Sequence, residues 1–196
     1  MRLNKGFTIV ELVVVIIILG ILAATALPRF VNLESEAYAA VADGVRGAFV
    51  SGVSMTKAKW RAQGSNSASS DMDLSGDGSN DSEVNGSGWI VGTTTAQDCD
   101  HILDILVEGG STPITVNTAT TGGAIANTAA LAALIAADDD EAAGQWFGVG
   151  DNATAASIDV CYLAYAPNGF ASGDPLVYFT YTLATGVVSD VTQGAF

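Results

Sequence analysis

The chain has 196 residues, enough for one domain of ordinary size together with one membrane-spanning segment. Seven Lys and Arg residues against 21 Asp and Glu residues give a net charge of −14 at pH 7, and no Lys or Arg follows Arg61. A chain this acidic is not expected to bind nucleic acid or an anionic membrane surface, because both need clustered basic residues.

The N-terminus has a short basic leader followed by an apolar helix. Arg2 and Lys5 precede a 21-residue run from Phe7 to Leu27 whose only charged residue is Glu11. At ~1.5 Å per residue this helix spans roughly 30 Å, the thickness of a bilayer core. The positive-inside rule keeps the basic end in the cytoplasm, so the rest of the chain is expected outside it. A carboxylate in a hydrophobic span is unfavourable by roughly 2–3 kcal/mol near the bilayer centre and by less toward an edge. Acids in such spans are usually functional, which marks Glu11 as a functional candidate.

The helical pattern continues beyond this apolar run. After Pro28, apolar residues recur every three or four positions, which predicts a helix with one buried face. We therefore predict a single helix from Phe7 to about Trp60. Pro28 removes a helical hydrogen bond and Gly20 weakens the helix, so the segment between them is the expected place for a helix break by bending or unwinding.

An ordinary secretory signal peptide is the competing interpretation. The basic start, the apolar core and a small-x-small site at residues 24–26 would release a soluble protein that begins at Leu27. However, Glu11 lies where a signal peptide should become apolar, and the helical pattern continues past Ala26. Both features favour a helix that is retained.

The heptapeptide Gly-Phe-Thr-Ile-Val-Glu-Leu at residues 6–12, with the apolar run after it, resembles the type IV pilin class. Residues 26–33 are most similar to the MSHA (mannose-sensitive haemagglutinin) type of major pilin. The resemblance implies that a prepilin peptidase cuts between Gly6 and Phe7 and methylates the new Phe7 amine. It also implies that the Glu11 carboxylate pairs with the Phe7 amine of a neighbouring subunit. Unpaired charge is costly in apolar surroundings, so this pairing would select one stagger between helices.

The resemblance also implies a function and a set of partners. The protein would be a structural subunit and not an enzyme, polymerising through its N-terminal helix into an extracellular filament for adhesion, surface attachment and, with retraction machinery, motility. It would be stored in the inner membrane of a Gram-negative bacterium and then displayed on the cell surface. The implied partners are further copies of the chain, the prepilin peptidase, an inner-membrane platform, an assembly ATPase and a secretin, with no nucleic acid.

Two alternatives remain open. One is the major pseudopilin of a type II secretion system, which shares the N-terminal motif, although pseudopilin heads are usually smaller and lack a disulfide. The other is of a different class: a soluble secreted calcium-binding module cleaved after Ala26.

The predicted fold is α+β and pilin-like, with an antiparallel sheet of about four strands packed on the amphipathic half of the long helix. The predicted segments are a leader (1–6), a transmembrane and filament-core helix (7–28), an amphipathic helix half (29–61) and a globular head (62–196).

The head begins with residues 62–88, whose Gly, Ser, Asn and Asp content predicts loop, including an acidic loop at 66–88. Two short helices are predicted at 99–107 and 124–137, and the acids at 138–141 are placed in a loop. Strands are predicted at 88–92, 113–117, 145–149, 157–165, 176–183 and 187–191. Thr185 and Gly186 predict a tight turn between the last two strands.

Two cysteines, Cys99 and Cys161, lie outside the cytoplasm on this topology. An oxidising compartment favours a disulfide between them. It would close a loop of about 60 residues, worth roughly 4 kcal/mol in the chain-entropy model. Two separate buried thiols are the alternative.

The acidic loop contains oxygen-bearing side chains at a spacing similar to calcium loops of the EF-hand and dockerin type. Counted from Asp73, they occupy loop positions 1, 3, 5 and 9, and Gly78 occupies position 6, where such loops turn sharply. Position 12 is Val84, and the acid comes one residue early, which departs from the pattern. No cofactor is required by the filament function, and a flexible acidic loop is the alternative to calcium binding. The candidate ligands are Asp73, Ser75, Asp77, Asp81 and Glu83.

No catalytic residue is predicted. His101 is the single histidine, so a zinc site has too few ligands. The absence of Lys and Arg beyond Arg61 also removes the side chains that stabilise phosphate or oxyanions. The three tryptophans are expected to pack in the core rather than to stack on sugars.

Overall fold

The protein is described by a computed structural model, in which the chain divides into two compact units, Met1–Ala37 and Tyr38–Phe196. The structure describes residues 7–74, 76, 78, 80, 82–92, 99–107, 114–116, 125–137, 145–151, 159–167, 170–171, 173–174 and 176–194, without the side chains of 27–35, 70–71 and 114–116. Its elements are α1 (Ile9–Ala62), β1 (Ser69–Met72), β2 (Ser82–Val84), β3 (Ile90–Gly92), α2 (Cys99–Val107), β4 (Ile114–Val116), α3 (Thr128–Ala136), β5 (Gln145–Asp151), β6 (Val160–Ala166), β7 (Leu176–Thr182), β8 (Val187–Val188) and β9 (Thr192–Gly194).

Helix α1 confirms the predicted long helix, although it begins at Ile9 rather than at Phe7. Its stretch Ile9–Ala26 has a mean hydropathy of 2.9 and is long and apolar enough to cross a membrane, a criterion that a signal sequence would also meet. The backbone remains helical through Gly20 and Pro28. Neither residue therefore unwinds the helix here, because a proline removes only one hydrogen bond and the flanking bonds can continue the ladder. The bend between them stays a prediction.

The main sheet of the second unit lies at the centre of the head. Within the described ranges its strand order is β4-β5-β6-β7-β8, and β9 also pairs with β7. Strands β5 to β8 are antiparallel neighbours, which confirms the four-stranded antiparallel sheet. The sheet is larger than predicted, because β4 joins β5 in parallel and β9 joins β7. The α+β, pilin-like prediction is confirmed.

One face of this sheet packs on α1 and α2. Phe49 of α1 is completely buried, and its ring centroid lies 5.6 Å from that of Phe179 and 5.3 Å from that of Tyr181. The Tyr181 hydroxyl donates to the Ile90 carbonyl at 2.9 Å, which joins the main sheet to β3. Burial raises the pKa of Tyr181 well above its ordinary value. Trp146 is 9% exposed in the same cluster, which confirms that it packs in the core.

The opposite face of the sheet is covered by α3. Leu131 and Ile135 are buried against Phe147 and Val149 of β5. This helix is shorter than predicted because Asn127 caps it, its side chain accepting the N–H of residue 130 at 2.9 Å. The predicted loop at 138–141 lies outside the described residues.

The loop prediction for residues 62–88 is wrong in part. Strands β1 and β2 lie inside this range and form an antiparallel sheet with β3. Met72 and Val84 are buried against Trp60 in a small separate cluster. Two apolar residues are enough here because the end of α1 supplies the large ring on which they pack. The predicted strand at 88–92 is confirmed as β3.

A disulfide joins Cys99 at the start of α2 to Cys161 in β6, with a Cα–Cα distance of 5.4 Å. The predicted pairing is therefore observed, and the alternative of two free thiols is wrong. The same turn of α2 also approaches β5 closely. A Cβ atom added at Gly148 would lie 2.2 Å from the backbone nitrogen of Asp100.

The hairpin between β7 and β8 turns as predicted. Gly186 has a φ of +70°, and its N–H donates to the Thr182 carbonyl at 2.8 Å. Strand β8 is shorter than predicted because regular pairing with β7 ends at Ser189. The Ser189 N–H still donates to the Thr180 carbonyl at 2.9 Å, but the Ser189 hydroxyl, and not its backbone carbonyl, accepts the Thr180 N–H, also at 2.9 Å.

Candidate functional site: the N-terminal helix

The N-terminus of α1 is a capping box formed by Thr8 and Glu11. Thr8 donates both its backbone N–H and its hydroxyl to Oε2 of Glu11 at 2.9 Å. In return, the Glu11 N–H donates to the Thr8 hydroxyl oxygen at 3.2 Å. This reciprocal pattern satisfies backbone donors that a helix start leaves without partners. It also places the carboxylate at the positive end of the helix dipole.

Sequence reasoning singled out Glu11 as a charge but missed its local role. The signal was present, because a Thr followed three residues later by a Glu and then by an apolar run is the capping-box pattern. Thr8 is therefore part of the candidate site. Phe7 directly precedes it and is 88% exposed. Gly6 lies outside the described residues, so the predicted cleavage and N-methylation stay predictions.

A continuous apolar surface follows the capping box. Thirteen large apolar side chains between Phe7 and Leu22 are 42% to 88% exposed. An exposed apolar surface of this size needs lipid or protein to cover it. The one hydroxyl near its end is internally satisfied, since Thr25 donates to the Leu22 carbonyl at 3.0 Å. The segment is thus compatible with an apolar environment apart from the Glu11 carboxylate.

The predicted calcium loop is described only in part. Asp73 accepts the N–H of Gly76 with one carboxylate oxygen and that of Gly78, at 3.1 Å, with the other. Ser75, Asp77 and Asp81 lie outside the described residues. Within the described part of the chain, no group of three or more His, Cys, Asp or Glu side chains could hold a metal ion. Glu83 is half-buried in β2. Calcium binding therefore stays a prediction.

Basic residues of α1 hold loops of the head, which the sequence did not reveal. Arg46 donates to the Ser189 carbonyl and pairs with Asp190 at 2.8 Å. Lys59 donates to the backbone carbonyl of Asp73. These contacts connect residues 143 and 14 positions apart, so no local pattern predicts them.

Lys57 makes a different kind of contact. Its ammonium group lies 3.2 Å from the centroid of the Trp89 ring, a cation–π geometry. Desolvation, and to a smaller extent the nearby Arg61 charge, lower the pKa of Lys57. Trp89 is half-buried and Trp60 is buried, so neither is an open sugar-stacking ring.

Comparisons with known proteins agree with the geometry of this N-terminal segment. The prokaryotic N-terminal methylation motif matches residues 1–27. Over 44 residues the chain is 52% identical to the type IV narrow pilus major component PilA5 of Thermus thermophilus, a match that covers 22% of this chain and 38% of that protein. The match thus spans less than half the length of this relative. No solved structure matches the chain. The N-terminal segment is type IV pilin-like and carries the N-methylation motif.

Proposed function

We propose that this protein is a structural subunit of a type IV pilus of the MSHA-like kind, and not an enzyme. The observation that supports this most directly is the exposed apolar helix Ile9–Ala26, whose first turn carries the Glu11 carboxylate in a capping box. This helix lies inside an N-methylation motif. The relative from Thermus is named as a pilus major component, which agrees with this proposal. The filament would serve adhesion and surface attachment.

Assembly follows from the chemistry of this segment. Removal of the leader after Gly6 frees an amine at Phe7, next to the Thr8 that already binds Glu11. In the bilayer the apolar side chains are covered by lipid. In a filament they are covered by the same helix of other copies, and the Glu11 carboxylate of one copy pairs with the Phe7 ammonium of another. The precursor would lie in the inner membrane and the product outside the cell, with the prepilin peptidase, platform, ATPase and secretin as partners.

The pseudopilin remains the nearest alternative. The disulfide between Cys99 and Cys161 supports a pilin over a pseudopilin, whose heads usually lack one. A soluble secreted module cleaved after Ala26 is the alternative from another class. It is less consistent with an exposed apolar surface that continues into a helix with a buried face.

Mass analysis of the N-terminus of the native protein separates these classes in one measurement. We expect the mature chain to begin at Phe7 and to carry one added methyl group. A chain that begins at Leu27 would overturn the filament proposal in favour of a secreted module. Electron microscopy of the same cells separates a pilus from a pseudopilus, since surface filaments at native expression levels are expected only for a pilus.

Replacement of Glu11 tests the role of its charge separately from its role in the capping box. Glu11→Gln retains a side chain that can cap the helix but carries no charge, whereas Glu11→Ala removes both. We expect both variants to lose surface filaments in electron micrographs, with normal subunit levels on immunoblots. Filaments of normal number with Glu11→Gln would contradict the charge pairing and assign the residue to helix capping.

A further inference from the structure

The basic residues of this chain are concentrated in one place. Without the leader, five Lys and Arg residues remain against 21 Asp and Glu residues. Three of the five are Lys57, Lys59 and Arg61, at the end of α1. The 17 acidic residues that follow Ala62 have no basic residue among them.

Lys57 and Arg61 belong to a surface formed by the end of α1, the residue that precedes β3 and the β7–β8 turn. Trp89 receives the Lys57 ammonium group, and its ring also lies against the β7–β8 turn, where a Cβ atom on Gly186 would be 2.2 Å from it. Val187, the next residue, is 59% exposed, and Arg61 is exposed one helical turn beyond Lys57. We call Lys57, Arg61, Trp89 and Val187 the basic–aromatic surface.

This surface carries two positive charges that repel each other. Lys57 and Arg61 are four residues apart on one helix, where like charges are destabilising. Desolvation lowers the pKa of Lys57, and the Arg61 charge lowers it further. In the described part of the chain, the Arg61 guanidinium makes no ion pair that would offset this repulsion. A carboxylate from outside the subunit would offset it, and the exposed Val187, which follows the Gly186 that lies against Trp89, offers apolar contact.

We propose that the basic–aromatic surface binds carboxylates on the head of a second copy of this chain. The proposal rests on the proposed filament function, because a filament brings many copies of a strongly acidic head side by side. Such heads repel one another, and this surface presents positive charge that opposes the repulsion. It would act between heads, separately from the contacts of the N-terminal helices.

Arg61 variants test the proposal through the salt dependence of filaments. Filaments sheared from cells would be washed into buffers of about 0.05 M and about 1 M NaCl, where charges are weakly and strongly screened. Sedimentation followed by immunoblotting would give the fraction that remains polymeric. We expect Arg61→Gln to lower this fraction at least about two-fold at low salt, as loss of one exposed charge pair predicts, and to match the wild type at high salt.

Two controls make the outcome specific. Arg61→Lys keeps the charge and is expected to behave as wild type. Ala133→Glu makes the same change in net charge at an exposed position of α3, on the other face of the sheet, and is expected to show a smaller loss at low salt. An equal loss with Ala133→Glu, or no loss with Arg61→Gln, overturns the proposal. Normal filaments with reduced attachment of cells to anionic surfaces would overturn it too, because the partner would then be foreign. Absence of filaments from wild-type cells would instead overturn the pilus function.

Discussion

Glu11 can keep its local partner while it gains a second one. Both hydrogen bonds from Thr8 go to Oε2, so neither uses Oε1. A carboxylate has lone pairs on both oxygens, and an ammonium group from another copy could bind Oε1 without opening the capping box. The importance of Glu11 could be predicted from its isolation in an apolar run. Its orientation could also have been predicted, because the capping box is a local pattern.

Gly148 is important for a reason that the sequence does not show. Its neighbour is the first turn of α2, which reaches it only in the folded chain. We expect Gly148→Ala to destabilise the detergent-solubilised subunit by about 1–3 kcal/mol or more, because the added methyl group would overlap the backbone at Cys99 and Asp100. Thermal denaturation followed by circular dichroism would measure the loss as a lower Tm.

Gly44→Ala is the matched control for this variant. Gly44 lies in α1 and has nothing within 4 Å of an added Cβ. The same substitution there should leave Tm unchanged or raise it, because alanine favours a helix by up to about 1 kcal/mol over glycine. Equal shifts for the two glycines would refute the argument from close packing.

At the scale of elements, prediction succeeded where the pattern was long or the residue types were distinctive. Helix α2 has the predicted bounds, β7 lies within its predicted segment, and β5 and β6 overlap theirs but end one or two residues later. Strands β1, β2 and β9 were missed because they are short and largely polar, so neither alternation nor residue type marks them as strands. The predicted strand at 187–191 is interrupted between β8 and β9, where Arg46 of α1 binds the Ser189 carbonyl. These two residues are 143 positions apart, so the sequence does not show this contact.

Arg46 is expected to fix the β8–β9 segment on the head. Arg46→Met keeps much of the side-chain length but removes the hydrogen bond to Ser189 and the ion pair to Asp190. Amide hydrogen exchange should then accelerate in residues 187–194 and remain unchanged in β5 and β6. Exchange that accelerates evenly over the head would instead indicate general destabilisation.

Asp190→Asn separates the two contacts of Arg46. Asp190 is 96% exposed, so its ion pair contributes only about 0.2–1 kcal/mol. The bond to the Ser189 carbonyl is partly buried and charged, and bonds of this kind contribute about 1.5–3 kcal/mol. Asp190→Asn should therefore accelerate exchange less than Arg46→Met.

For the whole molecule, the distribution of charge could be predicted from the sequence, but the contacts that the charged side chains make could be predicted only in part. Composition alone gives an acidic head, and the position of Arg61 shows that the basic residues stop at the end of α1. Which of them bind inside the head and which remain exposed depends on tertiary contacts. The proposed role of the N-terminal segment could be predicted from the sequence because its motif is local. The head lacks such a motif, and its contribution could be argued only from the folded structure.

Calcium binding by the acidic loop would change the stability of the whole head. If a site forms there, calcium at about 100 times its Kd should stabilise the fold by about 2.7 kcal/mol. For a chain of this size that corresponds to a rise in Tm of roughly 5–10 °C, which EGTA should reverse. Scanning calorimetry with calcium and with magnesium would measure the effect.

Two variants give the calcium experiment its control. Asp77→Asn removes a predicted ligand, whereas Asp174→Asn removes an exposed acid outside the loop. Only Asp77→Asn should abolish the rise in Tm. A rise that magnesium reproduces, or that both variants retain, would show ordinary screening of negative charge and no calcium site.

The boundary between the two units has a practical consequence for anyone who wants a soluble fragment for crystallisation. Cutting before Tyr38 removes the whole lipid-compatible stretch but keeps Ala42, Phe49 and Val53, which are buried in the head. A fragment that started after Ala62 would lack these three side chains and would expose to water the apolar surface of α2 and the sheet on which they pack. The C-terminal half of α1 is therefore part of the hydrophobic core of the head, and any truncated version intended to stay in solution has to include it.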